Sequence, residues 1–265
     1  MTMSELNKRV LVSIIFIPVL ILALYFEGIP LYLMFLLLSL MGSKEYISMM
    51  RKADILIPWL WIVINPVLYS LWLLFPKAEI SLLFLAIIAA MLHELSVWDE
   101  KKSVPRFFAN LFGTVYTAMM PAMIVKIGFI LPGSKILLAL ILMIWIVDSC
   151  AYFIGMRFGK RREVTLVSPR KSLEGFIAGL LAPVLISSIL YIIGFGHFSP
   201  MQLVLLALAA GVFGQLGDLL ESMLKRFCNV KDSSKLIPGH GGILDRTDSI
   251  LLAGSFLYAA LLVLP

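Results

Sequence analysis

Residues 135–157 read KILLALILMIWIVDSCAYFIGMR, a run in which Asp148 is the one acidic residue among long apolar stretches. At about 1.5 Å per residue, a helix of this length crosses the roughly 30 Å hydrocarbon core of a bilayer. An Asp near the centre of such a helix costs about 2.5–3.5 kcal/mol, so its side chain must face protein or a watery cavity. The stretch therefore predicts a membrane helix that also contributes to a polar site.

Eight further apolar runs surround this one. Together they predict nine spans at about 10–26, 31–50, 55–76, 80–95, 107–131, 135–157, 175–197, 201–224 and 249–264. The 265 residues are 61% apolar and 14% charged, against roughly 45–50% and 25% in soluble proteins. An ordinary water-soluble domain is excluded, and we predict an all-α, polytopic integral membrane helix bundle of about nine transmembrane helices.

The basic residues sort to one side of this predicted bundle. With a cytoplasmic N-terminus, all of the 22 Lys and Arg residues except Lys77, Lys126 and Lys135 fall on the cytoplasmic side. This bias predicts that orientation, in a cytoplasmic (inner) membrane. The net charge of +6 then reports orientation and attraction to anionic membrane lipid, and no nucleic-acid partner is predicted.

Two long connections, residues 158–174 and 225–248, lie on the predicted cytoplasmic side. We therefore expect two regions: five N-terminal spans in residues 1–131, a scaffold that would also supply dimer contacts, and a catalytic region in residues 132–265 with both loops. Glu45 and Glu94 lie at predicted span ends, where a solvated carboxylate costs little. The N-terminal region is accordingly given no site residue.

Polar and small residues recur at helical spacing in two spans. Asp148, Tyr152, Gly155 and Gly159 form one stripe, and the eighth span carries another, made of Gly211, Gly214, Asp218, Glu221, Ser222 and Lys225. A structural interpretation stays open, in which the glycines pack against a neighbouring helix and each acid is satisfied nearby. The functional interpretation is a carboxylate site reached through a cavity.

The connection after the eighth span contains groups suited to phosphate and metal ions. Lysine and arginine neutralise phosphate charge, glycine lets backbone amides approach an anion, and carboxylate oxygens suit Mg²⁺. These groups are Lys225, Arg226 and Lys231, then His240, Gly241 and Gly242, and then Asp245, Arg246 and Asp248.

Three motifs in residues 145–248 resemble the signature of the phosphatidate cytidylyltransferases, also called CDP-diacylglycerol synthases. The longest runs from Ser222 to Asp248 as S-x-x-K-R-x4-K-D-x7-H-G-G-x2-D-R-x-D. The other two are Asp148-x2-Ala151-Tyr152-x2-Gly155 and Ser168-Pro169-Arg170-Lys171-Ser172-x-Glu174-Gly175.

The resemblance implies a Mg²⁺-dependent enzyme that transfers a cytidylyl group from CTP to phosphatidic acid and releases pyrophosphate. It leaves open a second cation, and it implies a homodimer whose active site faces the cytoplasm. The open alternatives are a cytidylyltransferase or CTP-dependent kinase acting on another lipid and, in a different class, a cation- or proton-coupled transporter.

Site residues follow from the same resemblance. The leading metal ligands are Asp218 and Asp245, with Asp248 and Glu221 as further ligands. The basic and imidazole groups expected in catalysis are Lys225, Arg226, Lys231, Arg246 and His240. Substrate phosphates are expected near Arg170, Lys171, Ser172, Ser222, Gly241, Gly242, Asp148 and Glu174.

Overall fold

The computed structural model describes residues 5–162, 165–194, 198–237 and 241–264, without the side chains of residues 5–13 and 15. Its helices are α1 (Glu5–Phe26), α2 (Gly28–Lys52), α3 (Trp61–Leu74), α4 (Glu79–Ser96), α5 (Ser103–Thr114), α6 (Met120–Ile130), α7 (Ile136–Phe158), α8 (Leu173–Ile193), α9 (Pro200–Leu208), α10 (Gln215–Phe227) and α11 (Leu244–Val263). These described ranges contain no β-strand, only isolated bridges between Arg162 and Ser172 and between Ile237 and Gly241.

Seven helical segments in this part of the chain are long and apolar enough to cross a membrane. They are Gly28–Lys52, Pro76–Ser96, Ser103–Ile130, Ile136–Phe158, Leu173–Ile193, Pro200–Phe227 and Leu244–Val263. Two shorter apolar helices, Phe16–Phe26 and Trp61–Leu74, account for the remaining predicted spans. The 14 residues of α3 extend about 21 Å, less than the hydrocarbon core. The polytopic helix bundle is confirmed, with seven full-length segments.

Two of these segments contain a π-helical turn in the middle. Val115–Met119 joins α5 to α6, and Ala209–Gly214 joins α9 to α10. A π turn adds a residue to the local helical repeat, so the faces before and after it point in different directions. The second turn packs against α7, α8 and α11, so the polar face of α10 begins directly after a buried small-residue segment.

The predicted glycine stripe on α7 packs against α8. A Cβ atom on Gly175 would lie 2.6 Å from the Ala151 carbonyl oxygen and 3.2 Å from Gly155 Cα. A Cβ atom on Gly159 would lie 2.7 Å from the Ser172 hydroxyl oxygen. The glycines of the stripe therefore pack against α8, as the structural interpretation predicts. Asp148 does not take part in these glycine contacts.

Helices α10 and α11 approach each other most closely at Gly217. A Cβ atom at this position would lie 2.4 Å from the Asp248 backbone oxygen and 3.1 Å from Ser249 Cα. Because both contacts are backbone atoms, a side chain at residue 217 would have to shift α11. This contact places the acidic residues of α10 beside those of α11.

The connections predicted to share one side of the bundle do lie together. Arg226, at the end of α10, donates a hydrogen bond from Nε to the Val167 carbonyl oxygen at 3.2 Å. At the opposite end, Lys135 donates to the Tyr25 carbonyl oxygen at 2.5 Å, and the Gly133 amide donates to Glu27 at 2.8 Å. The two long connections therefore meet at one end of the helix bundle.

Replacing Gly217 with alanine is expected to lower the stability of the folded protein by about 1–3 kcal/mol, the usual cost of overpacking. Gly214→Ala is the matched control, since its new Cβ would find its nearest neighbour at 3.7 Å, an ordinary contact. Thermal unfolding of both detergent-purified variants measures the difference. Equal unfolding midpoints would contradict the tight contact between α10 and α11.

Candidate active site

A cavity of about 480 Å³ opens beside the close contact of α7 with α8. Three cationic side chains line it, from Arg162, Arg170 and Lys171, and we call it the basic cavity. Its other polar wall residues are Asp148, Tyr152, Ser172, Gln215 and Asp218. Lys171 pairs with Asp218, and the two side chains remain 31% and 34% exposed. Both charges are therefore within reach of a ligand in the cavity.

A second cavity, of about 320 Å³, lies on the other side of α7. We call it the amphipathic cavity because apolar side chains from α1, α2 and α7 form most of its wall, among them Phe16, Leu20, Phe35, Leu38 and Ile144. Its polar end consists of Asp148, Asp245, Arg246 and Asp248. Such a volume falls within the range of small-molecule sites.

Asp148 lines both cavities. Within the described part of the chain, no hydrogen-bond donor contacts its carboxylate, so both oxygens can accept a ligand. Its charge is repelled by that of Asp218 and attracted by that of Lys171, and Asp248 is repelled by both aspartates. The three carboxylates therefore form one electrostatic group at the junction of the cavities.

Lys225, in contrast, is enclosed by carboxylates. Its Nζ donates to Glu221 Oε2 at 2.6 Å and to Asp245 Oδ1 at 2.7 Å. The other oxygen of Asp245 accepts from the Ser233 amide, the Ser233 hydroxyl and the Gly242 amide, each at 2.8 Å. Lys225 and Asp245 therefore hold α10, α11 and the connection between them together. Their roles as a triphosphate contact and a metal ligand stay predictions.

The carboxylates at the junction of the two cavities are candidate ligands for Mg²⁺. In the residues that the structure covers, no three His, Cys, Asp or Glu side chains converge as a metal site. Mg²⁺ usually takes one or two carboxylates together with substrate phosphates and water, so a preformed three-carboxylate cage is not required. Glu221 is fully buried, and its Oε1 has no hydrogen-bond partner among the residues that the structure describes. Asp218 and Asp248 lie close enough for their charges to repel each other, and two such carboxylates completed by substrate phosphates and water suit a hard cation.

The remaining predicted residues have other positions. The Ser172 hydroxyl caps α8 by accepting the Gly175 amide at 3.2 Å, and the Glu174 carboxylate accepts the Arg161 amide at 3.2 Å. Ser222 is buried and Lys231 is exposed. The predicted residues outside both cavities are Glu174, Glu221, Ser222, Lys225, Arg226, Lys231, Gly241 and Gly242. His240 lies outside the described residues.

Glu45 is a site residue that sequence reasoning missed. Its carboxylate is buried and accepts hydrogen bonds from Ser233, Ser234, Ile243 and Leu244. The expectation of a solvated carboxylate at a span end is wrong here, because α11 and the preceding connection cover the end of α2. The available signal was the carboxylate itself, within a run otherwise dominated by apolar residues.

Glu94 and Arg162 also differ from expectation. Glu94 is only 6% exposed and pairs with Arg106 at 2.5 Å, so it too is not solvated. Arg162 lies in the basic connection after α7 and lines the basic cavity, although it was not singled out. Its position within a basic run, four residues after the end of α7, was the signal that could have found it.

Known proteins with similar sequences cover the same region. A model of the cytidylyltransferase family matches residues 7–264. A protein from Thermotoga maritima named phosphatidate cytidylyltransferase is 30% identical over 280 aligned residues, which cover 99% of this chain and 98% of that protein. A protein of the same name from Staphylococcus haemolyticus is 30% identical, with 91% of this chain and 92% of that protein covered.

A further match is local but more similar. A Bacillus subtilis phosphatidate cytidylyltransferase is 47% identical over 115 residues, which cover 43% of this chain and 43% of that protein. The chain therefore matches less than half of the length of this Bacillus subtilis protein. The family model extends over all of the residues that line both cavities, and the chain belongs to the cytidylyltransferase family.

Proposed function

We propose that this protein is a phosphatidate cytidylyltransferase, which transfers a cytidylyl group from CTP to phosphatidic acid to form CDP-diacylglycerol and pyrophosphate. One observation carries the proposal: Asp148 lines both a basic cavity and an amphipathic cavity. With a nucleoside triphosphate in the basic cavity and a lipid phosphate in the amphipathic cavity, the phosphates of both would meet at Asp148. The names of the similar proteins support the same activity.

CTP suits the basic cavity because three cations face it. Arg162, Arg170 and Lys171 can offset the charge of a triphosphate, and arginine can bind two phosphate oxygens at once. The Tyr152 ring, which is 60% exposed and lines the same wall, offers a surface for a nucleobase. Gln215 lines the same cavity. Its Nε2 already donates to the Phe176 and Gly211 carbonyl oxygens, so its side-chain oxygen is the group that can accept a hydrogen bond from a ligand.

Phosphatidic acid suits the amphipathic cavity because the cavity separates apolar from polar surface. Acyl chains would contact residues of α1 and α2, and the phosphate would lie at the polar end with Arg246. Asp218 and Asp248 would hold Mg²⁺ together with substrate phosphates, Asp245 and Glu221 stay predicted ligands, and a second cation stays open. When bound, the ion supplies charge neutralisation and alignment of the phosphates.

The reaction needs positioning more than proton transfer. An oxygen of the lipid phosphate attacks the α-phosphorus of CTP, a new P–O bond forms, and the bond to the β-phosphate breaks. Pyrophosphate leaves with the electron pair of that bond. Because the attacking phosphate is already anionic, no strong general base is required. Arg170 and Lys171 would stabilise the charge that develops on the leaving group.

The orientation of the active site follows from charge. The basic connections after α7 and α10 meet at one end of the bundle, and each contributes lining residues to one of the cavities. The positive-inside bias favours the cytoplasmic side of an inner membrane for this end. CTP would then reach the site from the cytoplasm, and the lipid would enter from the bilayer. A homodimer stays a prediction from the family resemblance.

The activity is tested with protein purified in detergent or lipid nanodiscs. With CTP, Mg²⁺ and phosphatidic acid, we expect pyrophosphate release and an equal amount of CDP-lipid, measured by mass spectrometry. Diacylglycerol, which lacks the phosphate nucleophile, is the matched lipid control and should give neither product. Absence of CDP-lipid would contradict the proposal. Solute uptake by reconstituted vesicles without CTP consumption would favour the transporter alternative.

Lys171→Ala is expected to lower kcat/KM for CTP by about 10- to 100-fold, because a hydrogen bond to a charged group contributes roughly 1.5–3 kcal/mol. Lys160→Ala is the control, since Lys160 is exposed in the same connection and lines neither cavity. Both variants lose one positive charge. A larger loss of kcat/KM in Lys171→Ala than in Lys160→Ala would therefore reflect a direct contact of Lys171 with CTP and not the general attraction of positive charge. Equal effects would remove Lys171 from the CTP site.

Leu20→Trp is expected to raise KM for phosphatidic acid about fivefold or more without changing KM for CTP. Leu20 lines the amphipathic cavity, and a larger side chain would occupy part of it at the usual cost of overpacking, about 1–3 kcal/mol. The control is Leu22→Trp on the same helix, where the side chain is 53% exposed and lines neither cavity. If both variants bind the lipid equally well, this cavity is not the lipid site.

A further inference from the structure

Glu45 on α2 contacts the connection between α10 and α11 with both carboxylate oxygens. Oε1 accepts the Ser234 hydroxyl at 2.6 Å and the Ile243 amide at 2.9 Å. Oε2 accepts the Ser233 hydroxyl and the Leu244 amide, each at 3.0 Å. The residue is only 4% exposed. Four donors therefore satisfy a carboxylate that would otherwise be costly to bury.

The start of α11 depends on Glu45 for its cap. Ile243 precedes the helix, and no side chain at that N-cap position accepts a hydrogen bond. The first amides of a helix have no acceptor within the helix, and the positive end of the helix dipole favours a carboxylate there. Glu45 supplies that carboxylate from a position 198 residues before Ile243.

The same contact extends to Asp245 through Ser233. The Ser233 hydroxyl oxygen lies 3.0 Å from Glu45 Oε2 and 2.8 Å from Asp245 Oδ2. A Cβ atom on Gly242 would lie 2.0 Å from that hydroxyl oxygen and 2.4 Å from Glu45 Oε2, so only glycine fits between them. Glu45, Ser233, Gly242 and Asp245 are thus packed as one unit, and Asp245 lines the amphipathic cavity.

We propose that Glu45 is a positioning residue for the transfer reaction. It holds Ser233, Ser234, Ile243 and Leu244 in place, so that Asp245, Arg246 and Asp248 form the polar end of the cavity in which the lipid phosphate binds. The catalytic part of this inference rests on the proposed function. The structural part concerns the amides of residues 243 and 244, which can be observed without turnover. Residues 1–131 thereby contribute directly to the site.

The arrangement requires a carboxylate and not only a polar side chain. All four groups around Glu45 are donors. The Ser233 hydroxyl shares its one proton between Glu45 and Asp245, and the two backbone amides cannot rotate away. A glutamine would turn its NH₂ group toward either Ile243 or Leu244, whichever way its amide were oriented. One buried amide would then face another donor and lose its acceptor.

The experiment compares Glu45→Gln with Glu94→Gln in the purified full chain, reconstituted in phosphatidic acid-containing vesicles. Glu94 is the matched control, because it is also a buried glutamate of the N-terminal half but pairs with Arg106 and lines neither cavity. The measurements are kcat and KM per folded protein, the unfolding midpoint, and hydrogen–deuterium exchange over residues 241–248.

For Glu45→Gln we expect kcat to fall about tenfold or more and exchange at residues 243 and 244 to accelerate by a similar factor, as one buried hydrogen bond to a charged acceptor is lost. For Glu94→Gln we expect a lower unfolding midpoint, with kcat within twofold of wild type and unchanged exchange in this segment. The split between the two variants separates positioning from general stability.

Unchanged exchange at residues 243 and 244 in Glu45→Gln would overturn the inference. So would a loss of kcat that Glu94→Gln reproduces at the same unfolding midpoint. If the wild-type protein forms no CDP-lipid, the proposed function fails, and exchange alone decides the contact. Should Glu45→Gln not fold, Ser234→Ala removes one of the four bonds and must raise exchange at residue 243 and lower kcat; no change in either overturns the inference.

Discussion

The ion pair between Lys225 and Asp245 is the interaction on which the site depends. It joins α10 to α11, and the second carboxylate at Lys225, that of Glu221, keeps this cation compensated from both sides. In a low-dielectric surrounding, removing one partner leaves the other charge buried and unpaired, which is far more costly than the pair itself. Ser233 and Gly242, which belong to the connection between these helices, donate their amides to the second oxygen of Asp245. Asp245 therefore compensates the charge of Lys225 and also fixes the conformation of Ser233 and Gly242.

The two cavities differ in the kind of surface that lines them. The basic cavity exposes cations at the end of the bundle, whereas the amphipathic cavity is bounded by side chains of α1, α2 and α7. A single helix, α7, forms part of both walls, and its backbone contact with α8 through Gly155 and Gly175 leaves little freedom to move. Two substrates with opposite solubility can therefore approach one carboxylate from different directions.

Much of this arrangement could be predicted from residue patterns. Hydropathy located the nine apolar helical segments, and polar spacing within them singled out two stripes that contain Asp148 and Asp218. Both residues line the basic cavity. Such patterns describe which face of a helix is polar, but they do not identify the partner of a side chain. Asp245 shows the limit, because its saturation by Lys225, Ser233 and Gly242 depends on how the connection folds back.

Glu45 shows the same limit over a longer distance. Its partners are 188–199 residues away in the chain, so no local pattern could pair them. The predicted start of α11 is too late for a related reason. Hydropathy begins the span at residue 249, whereas the helix begins at Leu244, where the carboxylate of Glu45 accepts the amides of Ile243 and Leu244. The length of α3 was overestimated because apolar residues continue beyond its helical part.

The close approach of α10 and α11 at Gly217 has a consequence for the thermodynamics of folding. Because these backbones touch, Asp218 and Asp248 cannot move apart to relieve the repulsion between their charges. The unfolded chain carries no such constraint, so a cation that neutralises the group lowers the free energy of the native state alone. Ligand concentration and resistance to unfolding are consequently linked by mass action, and the same acids that suit the site to phosphate chemistry make its stability depend on what is bound.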